Sequence, residues 1–131
     1  MSDCRLQTAN VKVTARQELE DRLLRFAAAC LKLVGRLGRT AEGRYISGQL
    51  MRSGASAGAN YHEACAAESR ADFCHKLQIT LKELRESEYW LRLLRQAALV
   101  PEPATAALQD ESGQLVRIIA RSVITAKSRA S

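Results

Sequence analysis

Aromatic side chains are scarce in this chain of 131 residues: it has two Phe, three Tyr and one Trp. Leu and Ala must therefore supply most of the packing. Proline occurs only as Pro101 and Pro103, which leaves room for long unbroken helices and argues against a Pro-rich disordered chain. No uncharged apolar run approaches the ~18 residues of a membrane span, so no membrane-spanning segment is expected. The N-terminus lacks a basic-then-apolar leader ending in a small-residue cleavage site, and the expected location is the cytoplasm. The four cysteines, Cys4, Cys30, Cys65 and Cys74, form no C-x-x-C pair. Three of them fall inside helical patterns, as reduced thiols do in that compartment.

Charge of both signs is present, but unevenly. The net charge is +6 and the isoelectric point about 9.5, which favours solubility and an anionic partner. Residues 41–104 are balanced, so the basic excess sits in residues 1–40 and 105–131. Hydrophobic residues make up 47% of the chain, enough for one globular domain with a core of its own.

The apolar spacing is helical throughout. Residues 1–13 show no sustained period and read as a flexible arm. Thr14 and Gln17 have the form of a capping box, and Leu19, Leu23, Phe26, Cys30, Leu33 and Leu37 then step by four and three. Leu24, Ala27, Leu31 and Val34 run beside them, giving this first helix a face wide enough for contacts on two sides. Gly35, Gly38 and Gly43 mark its end and a short connection. The second helix, roughly 43–68, has the inward stripe Ile46, Leu50, Ser53, Ala57, Asn60, Ala64 and Ala67. Small residues dominate it, so its neighbours must come close and bring the bulk. Ser69 and Asp72 open a third helix with the stripe Phe73, Leu77, Thr80, Leu84, Ser87, Leu91, Leu94 and Ala98. The two prolines stop it and set up a fourth, which carries Leu108, Leu115, Ile118, Ile119, Val123 and Ala126. Residues 128–131 read as a frayed tail. The expected architecture is all-α, an up-down-up-down antiparallel four-helix bundle over residues 14–127.

The short turn after the second helix makes helices two and three antiparallel neighbours. Facing positions then have numbers summing to about 140. Ala57 meets Leu84, Ala64 meets Leu77, Ser53 meets Ser87 and Asn60 meets Thr80. Small faces large and polar faces polar, which fills voids and offers each buried polar group a partner.

These residues resemble a known family. The run from Gln49 to Ala64, QLMRSGASAGANYHEA, followed by Ser69, Asp72 and Phe73 and then Leu81, Glu83, Glu86, Ser87, Tyr89, Trp90 and Leu91, is similar to the small bacterial four-helix-bundle proteins also called the 23S rRNA intervening-sequence protein (S23) family. The likeness extends from the first helix to the third, while the fourth matches only in length and character. At Ala57 the family pattern more often carries Ile. The resemblance implies a ring-like homopentamer without known catalysis, some of whose members are encoded inside ribosomal RNA genes. It is distantly similar to the accessory variability factor of diversity-generating retroelements, which implies a basic partner of nucleic acid.

Candidate sites follow from charge. Arg22, Arg25, Lys32, Arg36 and Arg39 are spaced to share one line on the first helix, uninterrupted by acid after Asp21. Repeated around a ring, such a line would suit a phosphate backbone, so RNA or DNA and further copies of this chain are the expected partners. A solvated face, on a scaffold that binds another protein, is the alternative. Arg117 and Arg121, with Lys127 and Arg129, form a second basic candidate. Neither base-reading aromatics nor zinc-finger spacing accompanies them. Arg52, Ser53, Asn60, Glu63, Thr80, Glu83, Glu86 and Ser87 read as a structural polar network between helices or subunits, because their charges nearly balance. Gly54-Ala-Ser-Ala-Gly58 matches the G-x-S-x-G nucleophile elbow literally. That motif needs a strand-to-helix turn and lies here in mid-helix, so no enzyme is expected. His62, Cys65, Cys74 and His75 gather near one turn without a standard zinc spacing, and neither a metal nor a cofactor is expected. Trp90 is expected against the first or fourth helix or at a subunit interface.

Overall fold

Hydroxyl side chains start three of the four helices in the computed structural model, which describes residues 14–130. The helices are α1 Ala15–Val34, α2 Ala41–Cys65, α3 Arg70–Gln96 and α4 Glu102–Ala130. At α1, Gln17 N–H donates to Thr14 Oγ1 (3.1 Å) and Thr14 N–H donates back to Gln17 Oε1 (2.9 Å), a complete capping box. Thr40 accepts from Gly43 N–H at 3.1 Å and Ser69 from Asp72 N–H at 3.0 Å. At α4, Pro101 precedes the helix and Pro103 sits in its first turn, where a missing N–H costs no helical bond.

Connections at 35–40, 66–69 and 97–101 are short enough that consecutive helices pack as antiparallel neighbours. Contact is heaviest between α2 and α3, then between α3 and α4 and between α1 and α2; the closing α1–α4 seam is the thinnest. The result is a four-helix bundle whose fully buried side chains include Leu23, Phe26, Leu50, Leu77, Leu84, Leu91, Leu115 and Ile119. Both members of the small–large layers are buried, Ala57 with Leu84 and Ala64 with Leu77. Gly54 lets α1 come in: a Cβ there would stand 3.1 Å from Cys30 Sγ, and one at Gly58 3.5 Å from Leu23 Cβ. Ser53 and Ser87, both without solvent exposure, have their hydroxyls 2.9 Å apart, and Ser87 also reaches the Glu83 carbonyl oxygen at 3.0 Å.

Four expectations need correcting. Asn60 and Thr80 do not pair across the helices. Asn60 donates to the backbone oxygen of Ser56 (2.9 Å) and to its Oγ (3.0 Å), while Thr80 donates to the Lys76 carbonyl (3.0 Å). A stripe of period 3.5 drifts by about 20° per heptad on a helix of period 3.6. By the sixth turn of α2 the inward position has passed from Asn60 to Tyr61, which is buried. Gly43 is not in the connection: it lies in the first turn of α2, where a Cβ would meet the Gly38 carbonyl oxygen at 2.5 Å. Residues 128–130 continue α4 rather than fraying. Trp90 lies edge-on to Tyr45 of α2 at 5.8 Å and beside Tyr89 at 5.1 Å, so α2 is a neighbour that the expectation of the first or fourth helix did not name. The 1–13 arm, Cys4 and Ser131 lie outside the described residues.

The end of α3 is strained at one residue. Leu99 N–H donates to the Leu94 carbonyl (3.2 Å) and Ala98 N–H to the Arg95 carbonyl (3.2 Å), the two bonds of a Schellman motif. The left-handed position falls on Ala98, with φ 55°, where glycine is normally favoured. Ala98→Gly should therefore raise stability by about 0.5–1 kcal/mol, the relief of Cβ strain less the added chain entropy. Thermal melts of the two proteins check this; an unchanged or lower midpoint would show that the turn does not strain Ala98.

Candidate nucleic-acid interface

Arg22 opens the basic line on α1 and is spent on structure. Its Nε donates to Glu111 Oε2 (3.1 Å), and its Nη2 to Glu111 Oε1 (2.7 Å) and Gln114 Oε1 (3.1 Å). This fork clamps α1 to α4 across the thinnest seam of the bundle, and Glu111 holds the guanidinium pKa above its ordinary value. The expected line is also shorter on the helix than its spacing suggests. α1 ends at Val34, so Arg36 lies in the turn that follows and Arg39 in the connection to α2, where its carbonyl accepts from Arg44 Nη1 at 2.7 Å. Arg25, Lys32, Arg36 and Arg39 are all exposed, and none has an ion pair among the described residues.

On α4, Arg117 and Arg121 are likewise exposed. The Arg22–Glu111 fork sets the register of α1 against α4, so positions summing to about 133 lie level. Arg117 then stands level with Arg16, while Arg25 and Lys32 lie toward the opposite end. The two basic groups therefore lie at different heights along the bundle. Arg129, at the C-terminal end of α4, is exposed too, and Lys127 takes part in an interaction of its own.

The polar residues of the family-like motif form pairs along the α2–α3 seam. Arg52 donates through Nη1 to Glu83 Oε2 (2.8 Å) and through Nη2 to Glu86 Oε2. Glu83 is nearly enclosed, its side chain 8% exposed, so the guanidinium offsets a buried negative charge. Glu86 also accepts from Trp90 Nε1 at 2.9 Å. The indole N–H first, and Arg52 after it, hold the Glu86 carboxyl below the usual carboxylate range. One turn from the helix ends, Lys76 Nζ donates to Glu63 Oε1 at 2.7 Å, which lowers the Glu63 pKa and raises that of Lys76.

Catalytic and metal geometry fail to assemble around the remaining candidates. Ser56 of the G-x-S-x-G run is inside α2 and accepts from the amide of Asn60, not from a base. His62 points across to Glu20 of α1, 3.2 Å away, and Cys74 is buried. Among the described residues no three His, Cys, Asp or Glu side chains converge as a metal site. Cys30 is sealed between α1 and α2, and burial pushes its thiol up to about 12. Desolvation likewise raises the half-buried Cys65. No helix among the described residues is long and apolar enough to cross a membrane.

This arrangement of helices matches known proteins. The family model described as 23S rRNA-intervening sequence protein covers residues 17–121. The chain belongs to that family. It is similar, at 35% sequence identity, to a solved protein of unknown function from the S23 ribosomal protein family of Bacteroides thetaiotaomicron VPI-5482. That match covers 80% of this chain and 97% of the other, with a TM-score of 0.75. No curated protein matches the chain. The family match takes in α2, α3 and their seam pairs whole, and most of α1.

One feature escapes a linear reading. Arg16, Arg70, Arg121 and Arg129 come from three helices but line the same cavity at one end of the bundle. Their sequence separations give no periodic signal, and only the antiparallel pairing of both ends of the chain brings them together.

The Glu86 cluster has a definite pH dependence. Its folded pKa is below the unfolded value, so its contribution is complete above the ordinary carboxylate pKa and is lost as pH falls through the lower folded value. Glu86→Gln should cost about 0.5–1 kcal/mol at pH 7, discounted because Arg52 is half exposed, and the gap should narrow as pH falls below the ordinary carboxylate range. Urea unfolding at pH 7 and pH 3, followed by the emission of the sole tryptophan, measures it. A gap of equal size at both pH values would mean that packing, not ionisation, sets the effect.

Proposed function

We propose that the protein is a non-enzymatic homo-oligomeric bundle, pentameric in assembly, that binds the phosphate backbone of RNA or DNA in the cytoplasm. Binding is through Arg25, Lys32, Arg36 and Arg39, with Arg117 and Arg121 as a second patch. One contrast carries this reading. Arg22, Arg52, Lys76 and Arg95 are each engaged by a carboxylate, whereas those six cations are exposed without an ion pair among the described residues. Charge left unpaired on a basic protein suits sequence-independent contact with phosphates. The helical setting of Ser56 supports the absence of catalysis, and the buried or half-buried free thiols Cys30, Cys65 and Cys74 suit a reducing compartment.

Self-association has its own support. Leu24 and Leu31 lie seven residues apart on α1 and are 69% and 50% exposed, and Met51 of α2 is 41% exposed. Large apolar side chains held in water on neighbouring helices suit a covering subunit. The same residues support the second reading, a scaffold that binds another protein and no nucleic acid.

Two measurements separate these readings. Charge reversal at Arg25, Lys32 and Arg36 should weaken binding to an RNA or DNA strand at least about tenfold near 100 mM salt and reduce the salt slope by about three. Binding that is absent in the parent protein, or unchanged in the variant, would leave the scaffold reading. Leu24→Glu with Leu31→Glu should convert the oligomer to monomer in light scattering while helicity is retained. A monomeric parent protein would overturn the ring.

A further inference from the structure

An open cavity of about 820 Å³ lies at the end of the bundle where α1 begins and α4 finishes, and all four helices contribute to it. Its floor includes Leu19, Phe73, Leu77 and Ile118. Small residues leave the space: Ala15, Ala64 and Ala67 stand where larger side chains would fill it. Such a volume falls in the range of small-molecule sites.

The rim is basic. Arg70, Arg121 and Arg129 line it, are exposed, and make no ion pair or hydrogen bond among the described residues. Arg16 joins them with its guanidinium over the Phe73 ring, 5.0 Å from the centroid. Arg22 also reaches the lining but is committed to Glu111. Glu18 and Glu68 are the acidic lining residues, so positive charge is in excess. Helix ends do not set this sign, since two N-termini and two C-termini meet here and their dipoles oppose each other.

We infer that this cavity binds a nucleotide by its phosphate. Three uncommitted guanidinium groups on one cavity supply the charge and donors that suit a doubly charged phosphomonoester better than a single carboxylate. The apolar floor and the stacked Arg16 offer a flat body the kind of surface on which bases are held. A long acyl chain would require a deep, closed apolar tunnel, whereas this cavity is open, and Ser69, Ser122 and Thr125 put hydroxyls in its wall. The phosphomonoester has two sources of the same chemistry, a free mononucleotide or the 5′ end of a strand. This site lies away from Arg25, Lys32 and Arg36, shares only Arg121 with the second basic patch, and stands without the backbone-binding reading.

Calorimetric titration of the full chain with AMP, adenosine, a 5′-phosphorylated hexaribonucleotide and its 5′-hydroxyl form tests the inference. AMP should bind at least tenfold more tightly than adenosine. Preference for the phosphorylated hexamer over AMP assigns the strand end, and the reverse assigns the free nucleotide. The exposed substitutions Arg70→Ala, Arg121→Ala and Arg129→Ala together should weaken AMP at least tenfold with helicity intact, and Thr125→Trp should do so by filling the mouth. Charge reversal at Arg25, Lys32 and Arg36 should leave AMP binding unchanged, which separates failure of one site from failure of the other. Equal binding of AMP and adenosine, no binding of either phosphorylated probe, or full binding by both cavity variants would overturn the proposal.

Discussion

The close approach of α1 to α2 is the constraint on which the rest of the bundle depends. A methyl group at Gly54 would stand only 3.1 Å from Cys30 Sγ, closer than ordinary contact, while one at Gly58 would just touch Leu23 at 3.5 Å. A helix that yields this much volume contributes little apolar area itself. Leu23 and Phe26 of α1 and Leu77, Leu84 and Leu91 of α3 supply it instead, from both sides. Larger residues on α2 would push α1 outward and open the layers that these side chains fill. On its other side α2 also comes close to α3, where the buried Ser53–Ser87 pair forms because two short hydroxyls meet only when the backbones do.

Much of this was legible in the sequence, for local reasons. Thr14 and Ser69 announce helix starts because their caps involve residues three positions away, and the capping geometry is as read. The layers of α2 against α3 followed from one short turn and an antiparallel sum. Legibility ended where small angular errors accumulate or where partners are far apart in sequence. Asn60 fell off the inward face through helical drift, and Tyr61 took its place. Arg22 looked like one member of a basic line, because its partner Glu111 is 89 positions away. Trp90 went to α2 because Glu86, one turn before it, fixes the indole N–H, and Tyr45 offers an edge for its ring. The arginine-lined cavity was invisible for the same reason as the clamp: it joins both ends of the chain.

Charge in this molecule is sorted by place. Along the α2–α3 seam cations and carboxylates are matched, Arg52 with Glu83 and Glu86 and Lys76 with Glu63. There the pairing sets which residues face each other and leaves little outward field. The cations without such pairs include Arg25 and Lys32 of α1, Arg36 and Arg39 of the connection to α2, and Arg117 and Arg121 of α4. The α2–α3 seam thus carries packing and matched charge together, while these exposed cations lie on other elements.

The thin α1–α4 seam gives the bundle a weak edge. The four helices form a row of well-packed neighbours, closed at its ends by sparse contact and the Arg22 fork. Local opening has the lowest free energy where buried apolar contacts are fewest, so α1 and α4 part before α2 and α3 do. The end cavity lies across that edge, and its lining includes residues of both helices. A molecule seated there would hold the row shut, so occupancy of the cavity and closure of the bundle are one linked equilibrium.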